Sequence, residues 1–239
     1  MLLAVDIGNT HSVFGVYDDA GLRRMVRVSS DPKSTAHELW AKLHVHLSDF
    51  EITGVMIASV VPTLTAVCGE MCEQFLAASP RVLGPDTDVG FVCVPDRAQV
   101  GPDRLANTAA AFKLASGPAV VVDLGTATTY DVVDGDGRYL GGAIAPGVET
   151  AAADLVRRAS RLGPVGLRSP ERTVGTTTRD AMLSGIVYGA ADAVDGMIGR
   201  IGRETGLRFI VFATGGLAEL VSKHTKTEMQ VVPTLTLDG

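Results

Sequence analysis

Four short segments carry the residue types that phosphoryl chemistry needs. The first is Asp6-Ile7-Gly8-Asn9-Thr10. Gly8 lets the backbone turn tightly and approach a ligand, because it has no Cβ. Asn9 and Thr10 add side-chain donors beside backbone N–H groups, a set that suits phosphate oxygens. Asp6 is placed to orient a magnesium ion through water, since Mg2+ usually keeps several of its waters. A polar hairpin turn is the plainer alternative for the same residues. The second segment is Asp123-Leu124-Gly125-Thr126-Ala127-Thr128-Thr129. Asp123 ends an apolar run, a poor place for an unpaired charge, so a cation or a backbone donor must satisfy it. The threonines offer hydroxyls to a phosphate chain; a threonine-rich strand with Asp123 as a turn acceptor is the alternative.

The third segment is Gly101-Pro102-Asp103-Arg104. Asp103 is a candidate general base for an attacking hydroxyl. Arg104 can clamp a carboxylate or a phosphate. An Asp at a helix start also serves as a cap or dipole partner, so both roles stay open. The fourth, Thr214-Gly215-Gly216, follows an apolar run and precedes a helical one. Its glycines let a flat group lie on the backbone, and the helix N-terminus favours negative charge. The chain has neither the Gly-x-x-x-x-Gly-Lys-Ser/Thr phosphate loop nor the Gly-x-Gly-x-x-Gly dinucleotide fingerprint.

The elements that position these segments follow from periodicity. Leu2 to Val5 reads as a strand, Val13 to Tyr17 as a second, and Arg23 to Val28 as a third after an acidic-glycine turn. Thr35 to Phe50 has helical spacing, with Leu39, Leu43 and Leu47 on one face. Val55 to Val61 predicts a buried parallel strand, Leu64 to Ala78 a helix and Arg81 to Leu83 a short strand. Residues 84–102 read as one long loop, and Asp103 to Ala115 as the helix it opens. The middle of the chain then restarts the opening pattern. At an offset of 117, Val122 matches Val5, Asp123 matches Asp6, Gly125 matches Gly8 and Val133 matches Val16. This predicts a duplicated domain, 1–117 and 118–239, with its boundary near Ser116-Gly117-Pro118. Helices are expected over Val148 to Leu162, Thr178 to Glu204 and Leu217 to Lys223, and a strand over Phe209 to Ala213. Val231 to Leu237 reads as a last extended piece, without the helix expected to cover it.

Composition narrows the class. The 239 residues carry a net charge of −6 and are 46% hydrophobic, which argues against disorder. The acidic balance argues against a general nucleic-acid or anionic-membrane partner. No apolar run approaches the ~20 residues of a membrane span, and the N-terminus lacks a signal-peptide pattern. Three cysteines suggest a reducing, cytoplasmic setting. Cys68 and Cys72 share a helix face and read as small buried residues; His44 and His46 point apart on a helix and do not read as a metal pair. The 27 glycines exceed the usual ~7% and suggest loops that approach a ligand. Gly185, Gly189, Gly196 and Gly199 fall in expected helices and read as close-packing positions.

Two Asp-x-Gly loops in duplicated halves, with a later strand–Gly-Gly–helix, resemble the acetate/sugar kinase, Hsp70 and actin superfamily. That resemblance implies an α/β fold of two duplicated ribonuclease H-like (actin-like ATPase) domains, each with a mixed β-sheet and flanking helices, and ATP in the cleft between them. With Ala58-Ser59-Val60-Val61-Pro62, Val100-Gly101-Pro102-Asp103-Arg104, Leu140-Gly141-Gly142-Ala143-Ile144-Ala145-Pro146-Gly147, Ser184-Gly185 and Ala213-Thr214-Gly215-Gly216 added, nearly the whole chain resembles the type III pantothenate kinases. The family implies ATP-dependent phosphorylation of pantothenate, the first step towards coenzyme A, by a cytoplasmic homodimer that uses ATP with Mg2+ and K+ or NH4+. It implies Asp103 as the base, Gly101, Pro102, Asp103, Arg104 and Thr178 as pantothenate contacts, and Asp123 as the monovalent-cation ligand. It implies Asp6, Ile7, Gly8, Asn9, Thr10, His11, Ser12, Val13 and Thr126 as the ATP contacts. The chain departs from the family pattern at Val94, Arg97 and Thr177, where an aromatic residue, a Pro and an Asn are usual. The alternatives are a related kinase for another small hydroxylated acceptor, or a non-catalytic nucleotide-binding regulator.

Overall fold

The computed structural model describes residues 1–239. An antiparallel meander opens it: β1 (Leu2–Ile7), β2 (His11–Asp18) and β3 (Gly21–Ser29). β4 (Gly54–Ser59) and β5 (Arg81–Val82) add in parallel beyond β1, which gives the order β3-β2-β1-β4-β5. Parallel neighbours need crossovers, and α1 (Ala36–Leu47) and α2 (Pro62–Leu76) supply them. Thr35 starts α1 with a capping box: the Glu38 amide donates to its hydroxyl, and its own amide donates to the Glu38 carboxylate. Pro62 starts α2, where its missing N–H costs nothing. Leu39, Leu43 and Leu47 of α1 and Leu64, Cys68, Met71 and Cys72 of α2 bury against Leu3, Val5, Ile7, Phe14 and Ile57. The two helical cysteines are core residues with no exposed surface.

The expected long loop contains a two-residue strand, β6 (Val92–Cys93), and a 3-10 turn over Arg97–Gln99 before α3 (Pro102–Ala115). The second sheet comprises β7 (Ala119–Leu124), β8 (Ala127–Val133), β9 (Arg138–Pro146), β10 (Ile210–Thr214) and β11 (Gln230–Val231). Its order, β11-β10-β7-β8-β9-β6, repeats the first sheet's plan and adds β6 alongside β9. The repeat shifts by one residue at its loop. Asp6 lies opposite Val13, and Asp123 lies opposite Thr129. The offset is therefore 117 before the loop and 116 after it. Val133 takes the place of Tyr17, and Val132 that of Val16, which corrects the alignment expected from sequence.

α4 (Val148–Arg158), α5 (Thr178–Thr205) and α6 (Ala218–Ser222) connect the later strands. α4 stops at Arg158, short of Leu162, where its C-cap Ala159 turns extended. The last segment is not extended throughout: it ends in a short helix, α7 (Leu235–Asp238). β7 is apolar at both faces because both are covered. Val120, Val122 and Leu124 pack with Ala191, Val194 and Ile198 of α5, while Ala119 and Val121 pack with Ala110 and Ala111 of α3. At 28 residues α5 is long and apolar enough to cross a membrane by length and composition. Its buried face, including Val187, Ala191 and Val194, packs in the sheet's core. The helical glycines do not meet the expectation of close packing: a Cβ at Gly185, Gly189 or Gly196 would enter open space. By Cα packing the chain forms two compact units: Met1–Gly90 with Asp96–Asn107 and Thr236–Gly239, and Phe91–Pro95 with Thr108–Leu235.

Candidate active site

In the first unit the candidate residues gather at the carboxyl ends of β1 and β4, where open α/β sheets place ligands. Asp6 and Ile7 end β1, Gly8, Asn9 and Thr10 form the turn, and His11, Ser12 and Val13 open β2. The turn is tight: the Gly8 amide donates to the His11 carbonyl at 3.0 Å. Ser30, at the end of β3, braces it from outside. Its hydroxyl donates to the Gly8 carbonyl at 2.7 Å and pairs with the Ser12 hydroxyl at 2.8 Å, and its amide donates to the Thr10 carbonyl. Ser30 has no motif signal; only the strand register, with Ser29 opposite His11, reveals it.

Val60 ties this turn to the start of α3. Its amide donates to the Ile7 carbonyl at 3.1 Å, and its side chain would lie 3.8 Å from a Cβ at Gly101. Pro102, Asp103 and Arg104 form the first turn of α3. The Asp103 carboxylate folds back over the helix start and accepts the Arg104 amide at 2.9 Å. A Cβ at Gly101 would sit 2.5 Å from Asp103 Oδ1, so the glycine makes room for the carboxylate. Burial raises the Asp103 pKa, opposed by the amide and charge of Arg104 and by its own amide. The side chain is therefore a stronger base than an exposed Asp, and it is pinned in place.

In the second unit Asp123 lies one residue before the end of β7, opposite Thr214 of β10. A Cβ at Gly215 would lie 2.6 Å from Asp123 Oδ1, and one at Gly125 would lie 3.3 Å away. Gly215 also has φ +90°, which side chains rarely adopt. The Asp-x-Gly loop and the Gly-Gly turn thus form one cradle around the Asp123 carboxylate. The turn is fastened by the Leu217 amide, which donates to the Leu124 carbonyl at 3.3 Å. Thr126 caps the loop with an exposed side chain, and its carbonyl accepts the Thr150 hydroxyl at 2.7 Å. Thr178 begins α5, and the contacts that gather Asp123, Gly125 and Gly215 do not include it.

Thr177 caps α5: the Asp180 amide donates to its hydroxyl at 3.1 Å. An Asn would cap the same site equally well, so this departure preserves the helix start. Val94 is exposed, and the Arg97 guanidinium donates to the Thr87 carbonyl, closing the loop that precedes α3.

The family model described as type III pantothenate kinase matches residues 2–200. The chain is 44% identical to the type III pantothenate kinase of Moorella thermoacetica, over all of this chain and 96% of that protein. It is 42% identical to that of Frankia alni, again over its whole length and 96% of the relative. This chain belongs to the type III pantothenate kinase family. It is accordingly a phosphotransferase of coenzyme A biosynthesis, and the family's residue pattern can be set on the geometry above.

Solved structures agree on the fold. A ROK-family glucokinase from Streptomyces griseus, in complex with glucose and AMPPNP, matches with a TM-score of 0.54 at 12% identity, over 99% of this chain and 96% of its own. Component A of an Acidaminococcus fermentans (R)-2-hydroxyglutaryl-CoA dehydratase matches with a TM-score of 0.56 at 13% identity, over 99% and 93%. At such identities they support the actin-like ATPase fold and nothing finer.

Proposed function

We propose that Asp103 is the general base of pantothenate phosphorylation in this kinase. The acceptor hydroxyl gives its proton to Asp103 as its oxygen attacks the γ-phosphorus of ATP. The bond from that phosphorus to the β,γ-bridging oxygen breaks, and ADP leaves with the electron pair. The products are ADP and 4'-phosphopantothenate. The observation that carries this reading is the Asp103 carboxyl itself, half-buried, pinned by the Arg104 amide and made more basic by burial. Arg104 supplies a cation for the acceptor's carboxylate beside Gly101 and Pro102, and the family pattern adds Thr178 as a pantothenate contact. Asp6 to Val13 hold the ATP phosphates through turn amides and hydroxyls, and the family pattern adds Thr126 as an ATP contact.

The carboxylate cradle of Asp123 fits a monovalent cation, K+ or NH4+, because two glycines leave the space a Cβ would fill. Asp6, half-buried at the end of β1, fits Mg2+ held through water. When bound, such cations neutralise phosphate charge during transfer. We assign the kinase to the cytoplasm as a homodimer. What supports the dimer is an open groove of about 320 Å3 along α4 and α5, lined by Ala151, Leu155, Gly185, Gly189, Ala190 and Ala193. Small residues there leave room for a second copy's side chains.

The test is Asp103→Asn. The variant is expected to lose turnover while binding ATP with nearly unchanged affinity by calorimetry, because the phosphate turn is untouched. Wild-type turnover in that variant contradicts the base assignment.

A further inference from the structure

The last residues of the chain converge on two elements of the first unit that carry site residues. The Thr236 hydroxyl donates to Asn107 Oδ1 at 2.8 Å, and Asn107 has no exposed surface. Asn107 lies four residues after Asp103, on the same face of α3 one turn later. Gly239 rests against the Ala106 backbone so closely that a Cβ would collide with it. On the other side the Tyr17 hydroxyl donates to Asp238 at 2.6 Å, and the Leu237 side chain fills the space over Gly15. Gly15 and Tyr17 belong to β2, the strand that leaves the phosphate turn. Burial, and next the bond to Asp238, raise the Tyr17 pKa, so the phenol remains a donor at neutral pH.

We propose that Thr236–Gly239 is a clamp that positions the first two turns of α3, and with them Asp103, against β2. Thr236 is its positioning residue. A helix start has free amides and frays readily, and α3 emerges from a loop, so its first turns need a tertiary anchor. The anchor is polar and directional at Asn107, which fixes rotation about the helix axis as well as distance. Rotation matters because the base must meet the acceptor hydroxyl within hydrogen-bond reach. Misplacement by about 1 Å is enough to cost a large factor in rate. The proposal rests on Asp103 as the base.

The experiment compares Thr236→Val, Thr236→Ser and Tyr17→Phe in the full-length kinase. Thr236→Val keeps the shape and removes the donor. It is expected to lower kcat roughly tenfold, with KM for ATP held within about twofold. Thr236→Ser is expected to restore kcat, and Tyr17→Phe to lower it by a smaller factor. Assays run well below each variant's melting temperature, where a merely structural residue leaves kcat per folded enzyme unchanged. A Thr236→Val enzyme with wild-type kcat beside an inactive Asp103→Asn overturns the clamp and leaves the base standing. Loss in Thr236→Val that Thr236→Ser does not repair also overturns it. An active Asp103→Asn overturns the base reading, and the clamp with it.

Discussion

Burial raises the pKa of Asp103, and the Arg104 amide and charge only partly offset it. As the proposed base, Asp103 acts in its ionised form, so kcat should fall in acid at a higher pH than an exposed Asp would set. A pH profile of kcat checks this, and an acid limb at or below that of an exposed Asp contradicts it. The same shift has a sign for stability. A carboxyl whose folded pKa is raised lends its stability below the unfolded pKa, and that stability is lost as pH rises through the folded value. Asp103→Asn should therefore melt higher than wild type at neutral pH, with the gap closing in acid, by calorimetry across pH. Gly101→Ala should place a methyl against the carboxylate and lower kcat by roughly tenfold or more. At this scale Asp103, Gly101 and Asp123 stand out in the sequence as candidates, and the structure places Gly101 against the Asp103 carboxylate. The cradle around Asp123 is not, because Gly125 and Gly215 meet across adjacent strands and are 90 positions apart in the chain.

α5, which begins at the candidate contact Thr178, owes its start to a local device. Thr177 caps α5, so Thr177→Val should cost roughly 1 kcal/mol of stability and Thr177→Asn almost nothing. Chemical denaturation checks both; equal losses contradict the cap. α1 is legible because its leucines repeat at helical spacing and its capping box is local, and α2 because Pro62 marks its start ahead of an apolar face. β6 and α7 are hidden for the opposite reason. β6 has two residues and exists only by pairing with Arg138 and Tyr139. α7 has four residues, too few to show a period, and is held by Leu235 in the core and by Asp238 on Tyr17.

Across the whole molecule, duplication is the organising fact. The strand plan of the first sheet returns in the second, and the Asp-x-Gly loop follows β1 in one and β7 in the other. The repeat is legible up to the loop and misaligned beyond it, because the second loop is one residue shorter and only the register exposes this. The small residues along α5 are likewise visible in sequence, yet they serve an open groove rather than packing within the chain. With the proposed dimer seated on that groove, Gly189→Trp should shift sedimentation toward a monomer relative to wild type; no shift contradicts the groove as an interface.

The net charge of −6 opposes an anionic nucleotide and an anionic acceptor alike. In the proposed reading, local cations offset that charge: Arg104 beside the acceptor, and those assigned to Asp6 and Asp123. The most direct measurement is ATP consumption by the purified kinase with pantothenate and with a panel of other small alcohols, in K+ or NH4+ and without either. One ADP per 4'-phosphopantothenate formed, a preference for pantothenate over the panel, and dependence on the monovalent cation are expected. No turnover with pantothenate, together with turnover of another alcohol, would contradict pantothenate as the acceptor.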